Sequence, residues 1–159
     1  MRLVLKLLGC LLILTAGGIA ALMTVAYEKK RIALLEGWID LIFHIRNQID
    51  CYLTPIGEIL ATTDRELMSA CMGNAADKSP TALLNRCAVY LSDEARRLLT
   101  AFSREIGSSY REEQVKRCDY YMEALRRLRE KELEALPARM RVRSVICLCL
   151  SAGIAILLW

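Results

Sequence analysis

A single histidine, His44, is all the sequence offers toward the commonest metal-binding and acid–base arrangements. It stands in "LIFHIRN" with Gln48, rather than a second ligand, one helical turn on, so a packed or interfacial ring is expected there. Seven cysteines are present, but no pair shows C-x-x-C or another zinc-type spacing. Cys51, Cys71, Cys87 and Cys118 are scattered, while Cys10, Cys147 and Cys149 lie in apolar ends; the odd total reads as small buried hydrophobes in a reducing compartment. Glycine-rich phosphate loops are missing, because Gly17-Gly18 sits in an apolar run with no lysine at nucleotide-binding spacing. No alternating apolar and polar run, Asn-Gly turn or internal repeat occurs, which excludes a sheet as the organising element. Carboxylates are plentiful, yet Glu112 and Glu113, and Glu130, Glu132 and Glu134, are interleaved with Lys and Arg as on solvated helix faces. The expectation is a non-enzyme with no catalytic or metal residues, no cofactor, no small-molecule substrate and no nucleic-acid partner.

Charge is absent from both ends. Residues 7–27, "LLGCLLILTAGGIAALMTVAY", contain no Asp, Glu, Lys or Arg, and about 20 apolar residues suffice for a helix to cross a bilayer core. Residues 144–159 are likewise uncharged, giving about 24 Å of helix at 1.5 Å per residue, short of a core of roughly 30 Å unless the Arg143 stem snorkels. The chain therefore divides into an N-terminal transmembrane helix over 1–27, a middle domain over 28–143 and a short C-terminal membrane helix over 144–159. The middle holds all 18 acidic residues and 20 of the 22 basic ones, for a net charge of +2, too balanced for a nucleic-acid footprint. Lys29, Lys30 and Arg31 follow the first run and Arg139, Arg141 and Arg143 precede the second, so the positive-inside rule puts the middle in the cytoplasm. Arg2 and Lys6 pull the N-terminal tail the other way. A cleavable signal peptide, with 7–19 as its apolar core and Gly18-Ile19-Ala20 as the cleavage site, is the rival, opposed by the unbroken run to Tyr27 and the basic stop that follows. Leu7-Leu8-Gly9-Cys10 has the look of a lipoprotein box, but its apolar run follows the cysteine.

The middle reads as helix throughout. Leu35, Trp38, Ile39, Ile42, Ile45, Ile49 and Tyr52 keep three-and-four spacing, and Leu34, Leu41 and Phe43 widen the stripe, as in a central helix packed on several sides. Thr54-Pro55 breaks it, with Thr54 the expected cap and Pro55 the first position of a second helix. That helix runs toward Gly73-Asn74, with a kink or restart at Thr62-Thr63-Asp64; "GNAADKSP" reads as a loop. Ser79-Pro80 opens a short helix to about Tyr90, and Ser92 caps one whose face is Ala95, Leu98, Leu99, Phe102 and Ile106. Gly107 follows as the left-handed residue at its end. Ser109, three residues before Glu112, has the capping-box spacing for a long last helix from Tyr110 to about Arg143, bent at Pro137. Its apolar face is Val115, Cys118, Met122, Leu125 and Leu128, with Glu112 and Lys116, Glu113 and Arg117, and Glu123 and Arg127 paired outside. The fold class is all-α: an antiparallel bundle of about five or six helices flanked by the two membrane helices.

Two stretches, "IRNQIDCYLTPIGEIL" (45–60) and "LSDEARRLLTAFSREIGSSYREEQVKRC" (91–118), together with a membrane helix running directly into a helical domain, resemble the stage III sporulation protein AB family of endospore-forming bacteria. Gln48, Asp50, Tyr52, Thr54, Pro55 and Ile56 match one family pattern, and Ile106, Gly107, Arg111, Glu112 and Gln114 the other. Gln48 stands where the family usually has an acid, and Tyr110 lengthens the turn. The resemblance implies a soluble domain similar to the cytoplasmic domain of type II secretion F proteins. It also implies a place in the mother-cell membrane facing the forespore, as a platform of the secretion-like channel complex. The implied partners are the other stage III sporulation A-operon proteins, including the AA secretion-type ATPase, with a contact surface at the polar turn 108–114. A membrane-anchored helical adaptor or regulatory protein unrelated to sporulation is the alternative, and an exported helical binding domain a third reading.

Overall fold

The computed structural model describes the backbone of residues 2–52, 54–73 and 79–158, with side chains from Thr15 to Ile154 in those stretches except 147, 148 and 152. Six helices follow in order: α1 (Arg2–Tyr52), α2 (Ile56–Thr62), α3 (Arg65–Ala70), α4 (Pro80–Cys87), α5 (Asp93–Glu105) and α6 (Arg111–Leu158). No strand occurs among the described residues, so the all-α expectation holds. With no proline before Pro55, nothing interrupts α1 between its apolar run and the domain. At the other end α6 continues through Pro137 into the second apolar run. Among the described residues no helix is long and apolar enough to cross a membrane. The charge-free runs 7–27 and 144–159 both extend into residues outside that description, as does most of the loop expected at 73–80.

Packing divides the chain into two units, one of residues 1–29 with 133–159 and one of residues 30–132. In the first, Glu28 is 3% exposed and accepts from Arg143 Nη1 at 2.6 Å. Leu22, Met23, Val145 and Leu150 are exposed there.

The second unit is built around α1. Leu34, Leu35, Trp38, Leu41, Ile42 and Ile45 are buried against Ile59, Leu60, Met68, Leu83, Leu99, Phe102 and Leu125 from the other five helices. Each such side chain is worth about 1.5 to 3 kcal/mol of transfer free energy. Trp38 Nε1 donates to Cys87 Sγ at 3.3 Å, satisfying the indole of the largest fully buried side chain. Gly37 is where α3 crosses α1: a Cβ there would stand 2.9 Å from the Ala70 carbonyl carbon and oxygen. Phe43 and Tyr52, expected on the buried stripe, are exposed at 50% and 73%, because one helix cannot be covered on every side by short neighbours.

Helix ends match the expected caps where serine precedes the helix. Ser79 Oγ accepts from Ala82 N and Ser92 Oγ from Ala95 N, both at 3.2 Å. Thr54 does not cap: Pro55 itself is the N-cap of α2, in extended conformation, and its carbonyl accepts from Glu58 N and Ile59 N. The kink is a full break, since Thr62 and Thr63 hydroxyls donate back to Glu58 O and Ile59 O and Thr63 turns extended before α3. α3 ends with Met72 in the left-handed region at φ 58, while Met72 N donates to Ser69 O and Gly73 N to Met68 O. α4 stops at Cys87, three residues before the expected Tyr90.

Candidate functional site

The α5–α6 connection is a prebuilt turn. Ile106 is extended (φ −70, ψ 136) and Gly107 follows at φ +88, the succession of a type II turn that only glycine takes without strain. Side chains then fix it. Ser108 Oγ donates to Glu105 O at 2.7 Å, Arg117 Nη1 to Glu105 O at 3.0 Å, and Gln114 Nε2 to Ser109 O at 2.5 Å. α6 begins at Arg111, one residue later than expected, and the Tyr110 carbonyl accepts from Gln114 N. Ser109 therefore lies one residue too early for the Glu112 capping box. Arg117, bonded to Glu113 at 2.7 Å, holds that carboxyl below the usual carboxylate range, with Ser109 adding to the effect.

This turn meets the end of α1 and the start of α2, which joins the two quoted stretches in space. A cleft of about 380 Å³ is lined by Ile49, Thr54, Pro55 and Ile56 from one and Gly107, Arg111 and Gln114 from the other. Contact is tight: a Cβ on Gly107 would stand 2.9 Å from Ile56 Cδ1. Arg111 Nη2 donates to Asp50 Oδ1 at 2.7 Å. Asp50 also faces Arg46 at 3.7 Å, and Arg46 Nε donates to Asp119 Oδ1 at 2.8 Å. Asp119, Arg46, Asp50 and Arg111 thus form an alternating row across α1 and α6, and the bond to Asp119 raises the Arg46 pKa further.

Of the residues singled out in the sequence, Pro55, Gly107, Arg111 and Gln114 line the cleft. Glu112 lines the adjoining depression with Asp50, Arg111, Val115 and Lys116, while Ser109 belongs to the turn. Gln48 is half-buried on α1 and outside either lining. The basic residues expected to flank a membrane behave unequally: Lys29, Arg139 and Arg141 are exposed, and Lys30 lies 4.5 Å over the Tyr90 ring. Arg31 donates to Glu132 Oε1 at 2.6 Å and Arg143 to Glu28 Oε1. Glu132 is only 5% exposed, which corrects its reading as part of a solvated face: its charge is matched by an arginine of the facing helix. Glu113 with Arg117 and Glu123 with Arg127 form the expected surface pairs. Arg46 and Asp119 escaped notice, although Arg46 and Asp50 at i,i+4 spacing carry half of the row. His44 is partly buried with Nε2 unbonded. Among the described residues no group of three or more potential ligands is placed to hold a metal ion.

The cleft combines one half-exposed guanidinium, paired with Asp50, with the apolar Ile49, Pro55 and Ile56 on a turn already in place. A family model described as stage III sporulation protein AB matches residues 6–159, both stretches included. No curated protein and no solved structure matches the chain. Over nearly its whole length, then, the chain belongs to the stage III sporulation protein AB family.

Proposed function

We propose that this protein is a non-enzymatic platform component of the stage III channel complex, anchored in the mother-cell membrane that faces the forespore. Its helical unit 30–132 lies on the cytoplasmic side and offers the cleft to the AA secretion-type ATPase or another protein of the same operon. Family membership supports the sporulation stage. Membrane attachment rests on the sequence, above all on the charge-free run 7–27 and the basic residues after it. The likeness of the helical unit to type II secretion F cytoplasmic domains is part of the same reading, and its support is the all-helical architecture. One observation carries the choice of surface: the two stretches that bear the family resemblance converge on a single cleft. The cleft sits roughly 30 Å along α6 from Glu132, where the chain leaves the helical unit.

Co-purification of the full-length chain with each operon protein, from membranes of sporulating cells, tests the reading. The ATPase or another operon protein should be retained. Retention of none of them would remove the platform role.

A further inference from the structure

The basic residues beside the two charge-free runs separate by what they touch. Lys30 and Arg31 belong to the helical unit and are engaged there, over the Tyr90 ring and on Glu132. Arg143 is taken by Glu28. Lys29, Arg139 and Arg141 are exposed, lie in the unit formed by 1–29 and 133–159, and have no ion-pair or hydrogen-bond partner among the described residues. Residues 1–27 and 135–159 contain no acid, and Glu28 is buried on Arg143. The other acid of that unit, Glu134, stands five residues before Arg139, past the spacing of a helical ion pair. From this separation we propose that Lys29, Arg139 and Arg141 bind the headgroup phosphates of anionic phospholipid.

Their arrangement suits a layer of phosphates better than a single soluble anion. The bond from Arg143 Nη1 to Glu28 sets α6 beside α1 at this level. Lys29 is one residue from Glu28, and Arg141 and Arg139 are two and four residues from Arg143, so all three cations stand within about 6 Å of that bond along the helix axes. Around α6, however, Arg139 and Arg141 are about 200° apart. A small anion cannot be gripped from both sides of a helix, whereas lipid headgroups surround it. Toward the charge-free runs the exposed side chains turn apolar on both helices: Leu22, Met23 and Tyr27 on α1, and Val142, Val145 and Ile146 on α6. Apolar surface that ends at a collar of unmatched cations is the pattern of acyl chains giving way to headgroups, with Tyr27 at the boundary. Anionic lipid supplies the missing counter-charge, each basic residue strengthening the attraction about fivefold.

The proposal rests on the membrane anchoring stated above, and the experiment keeps the two apart. The full-length chain is placed in nanodiscs of equal phosphatidylglycerol and phosphatidylcholine, and the lipids it retains on release are counted by native mass spectrometry. Phosphatidylglycerol should be favoured about fivefold or more. Lys29→Gln, Arg139→Gln and Arg141→Gln together should bring the ratio close to parity, while Lys29→Arg, Arg139→Lys and Arg141→Lys together should keep it. Arg97→Gln, Arg104→Gln and Arg126→Gln, which remove as much charge from exposed faces of the helical unit, should leave it unchanged. No preference in the unaltered chain, a preference that survives loss of the three cations, or an equal fall in the charge-matched control overturns the proposal. So does loss of the preference on adding glycerol 1-phosphate, which would make a soluble phosphate ester the ligand. If the chain is not held in the nanodisc at all, anchoring fails, and sedimentation of the same variants with phosphatidylglycerol vesicles decides for the cations. Binding lost only without Lys29, Arg139 and Arg141 supports the inference; equal sedimentation of every variant, or of none, overturns it.

Discussion

Gly107 answers to two constraints, a backbone at φ +88 and the Ile56 methyl 2.9 Å from where a Cβ would lie. Gly107→Ala is expected to lose about 1 to 2 kcal/mol in chemical denaturation, most of it from the left-handed conformation. Gly37→Ala fails for another reason, since the Cβ would press on the backbone of Ala70, which cannot rotate aside; roughly 1 to 3 kcal/mol is expected. The serines separate in the same assay. Ser79→Ala and Ser92→Ala should each lose about 1 kcal/mol, because each hydroxyl holds a helix-start amide. Ser109→Ala should lose only about a few tenths of that, because α6 begins at Arg111 and Ser109 is not its cap; a full 1 kcal/mol would restore the cap that its spacing suggested. These positions show what local sequence reveals. Serine before proline or acid, and glycine after an apolar helix face, are signals spanning four residues. Met72 was invisible for the same reason: nothing local predicts a left-handed methionine when Gly73 stands beside it.

Between helices, the buried carboxylates matter most. Glu132 on α6 takes Arg31 of α1 inside the helical unit, and removing the carboxylate takes a 2.6 Å charge-assisted bond from a largely buried site. Glu132→Ala should lose roughly 2 to 3 kcal/mol, less than a fully buried pair because Arg31 keeps some exposure. Arg31→Met with Glu132→Leu should regain most of that, and equal losses in the single and double variants would refute the pairing. Burial, with Asp119 nearby, pushes the Cys118 thiol up to about 12, and burial together with the hydrogen bond to Glu105 raises Tyr121 to about 12. Both groups hold their protons more tightly folded than unfolded. Their contribution is thus fully present below the ordinary thiol pKa of about 8.5 and declines as pH rises toward 12. Denaturation midpoints at pH 8, 10 and 11 should fall in that order; a constant midpoint would contradict it. The apolar faces of α5 and α6 were readable from spacing, but the burial of Glu132 was not, because the arginine that makes it tolerable lies 101 residues away. The exposure of Phe43 and Tyr52 was equally hidden, since periodicity gives the stripe and not which neighbours reach it.

For the molecule as a whole, the chain belongs to one family over nearly its full length, and the two motif stretches meet at one cleft of the helical unit. The cleft could not be read from spacing, since its halves lie some fifty residues apart and only the fold brings them together. Cys51 stands between Asp50 and Tyr52 at that end and is exposed, whereas Cys71, Cys87 and Cys118 are buried. A chain with Cys10, Cys147 and Cys149 changed to alanine makes Cys51 the reporter for the side of the membrane on which the cleft works. The decisive measurement is labelling of that thiol with a membrane-impermeant reagent in intact and in permeabilised vegetative cells that produce the chain, where the cell membrane borders the medium. The account predicts labelling only after permeabilisation, with Cys71, Cys87 and Cys118 resisting until the protein is denatured. Labelling of Cys51 from outside intact cells would contradict it, because no cytoplasmic motor could then reach the cleft.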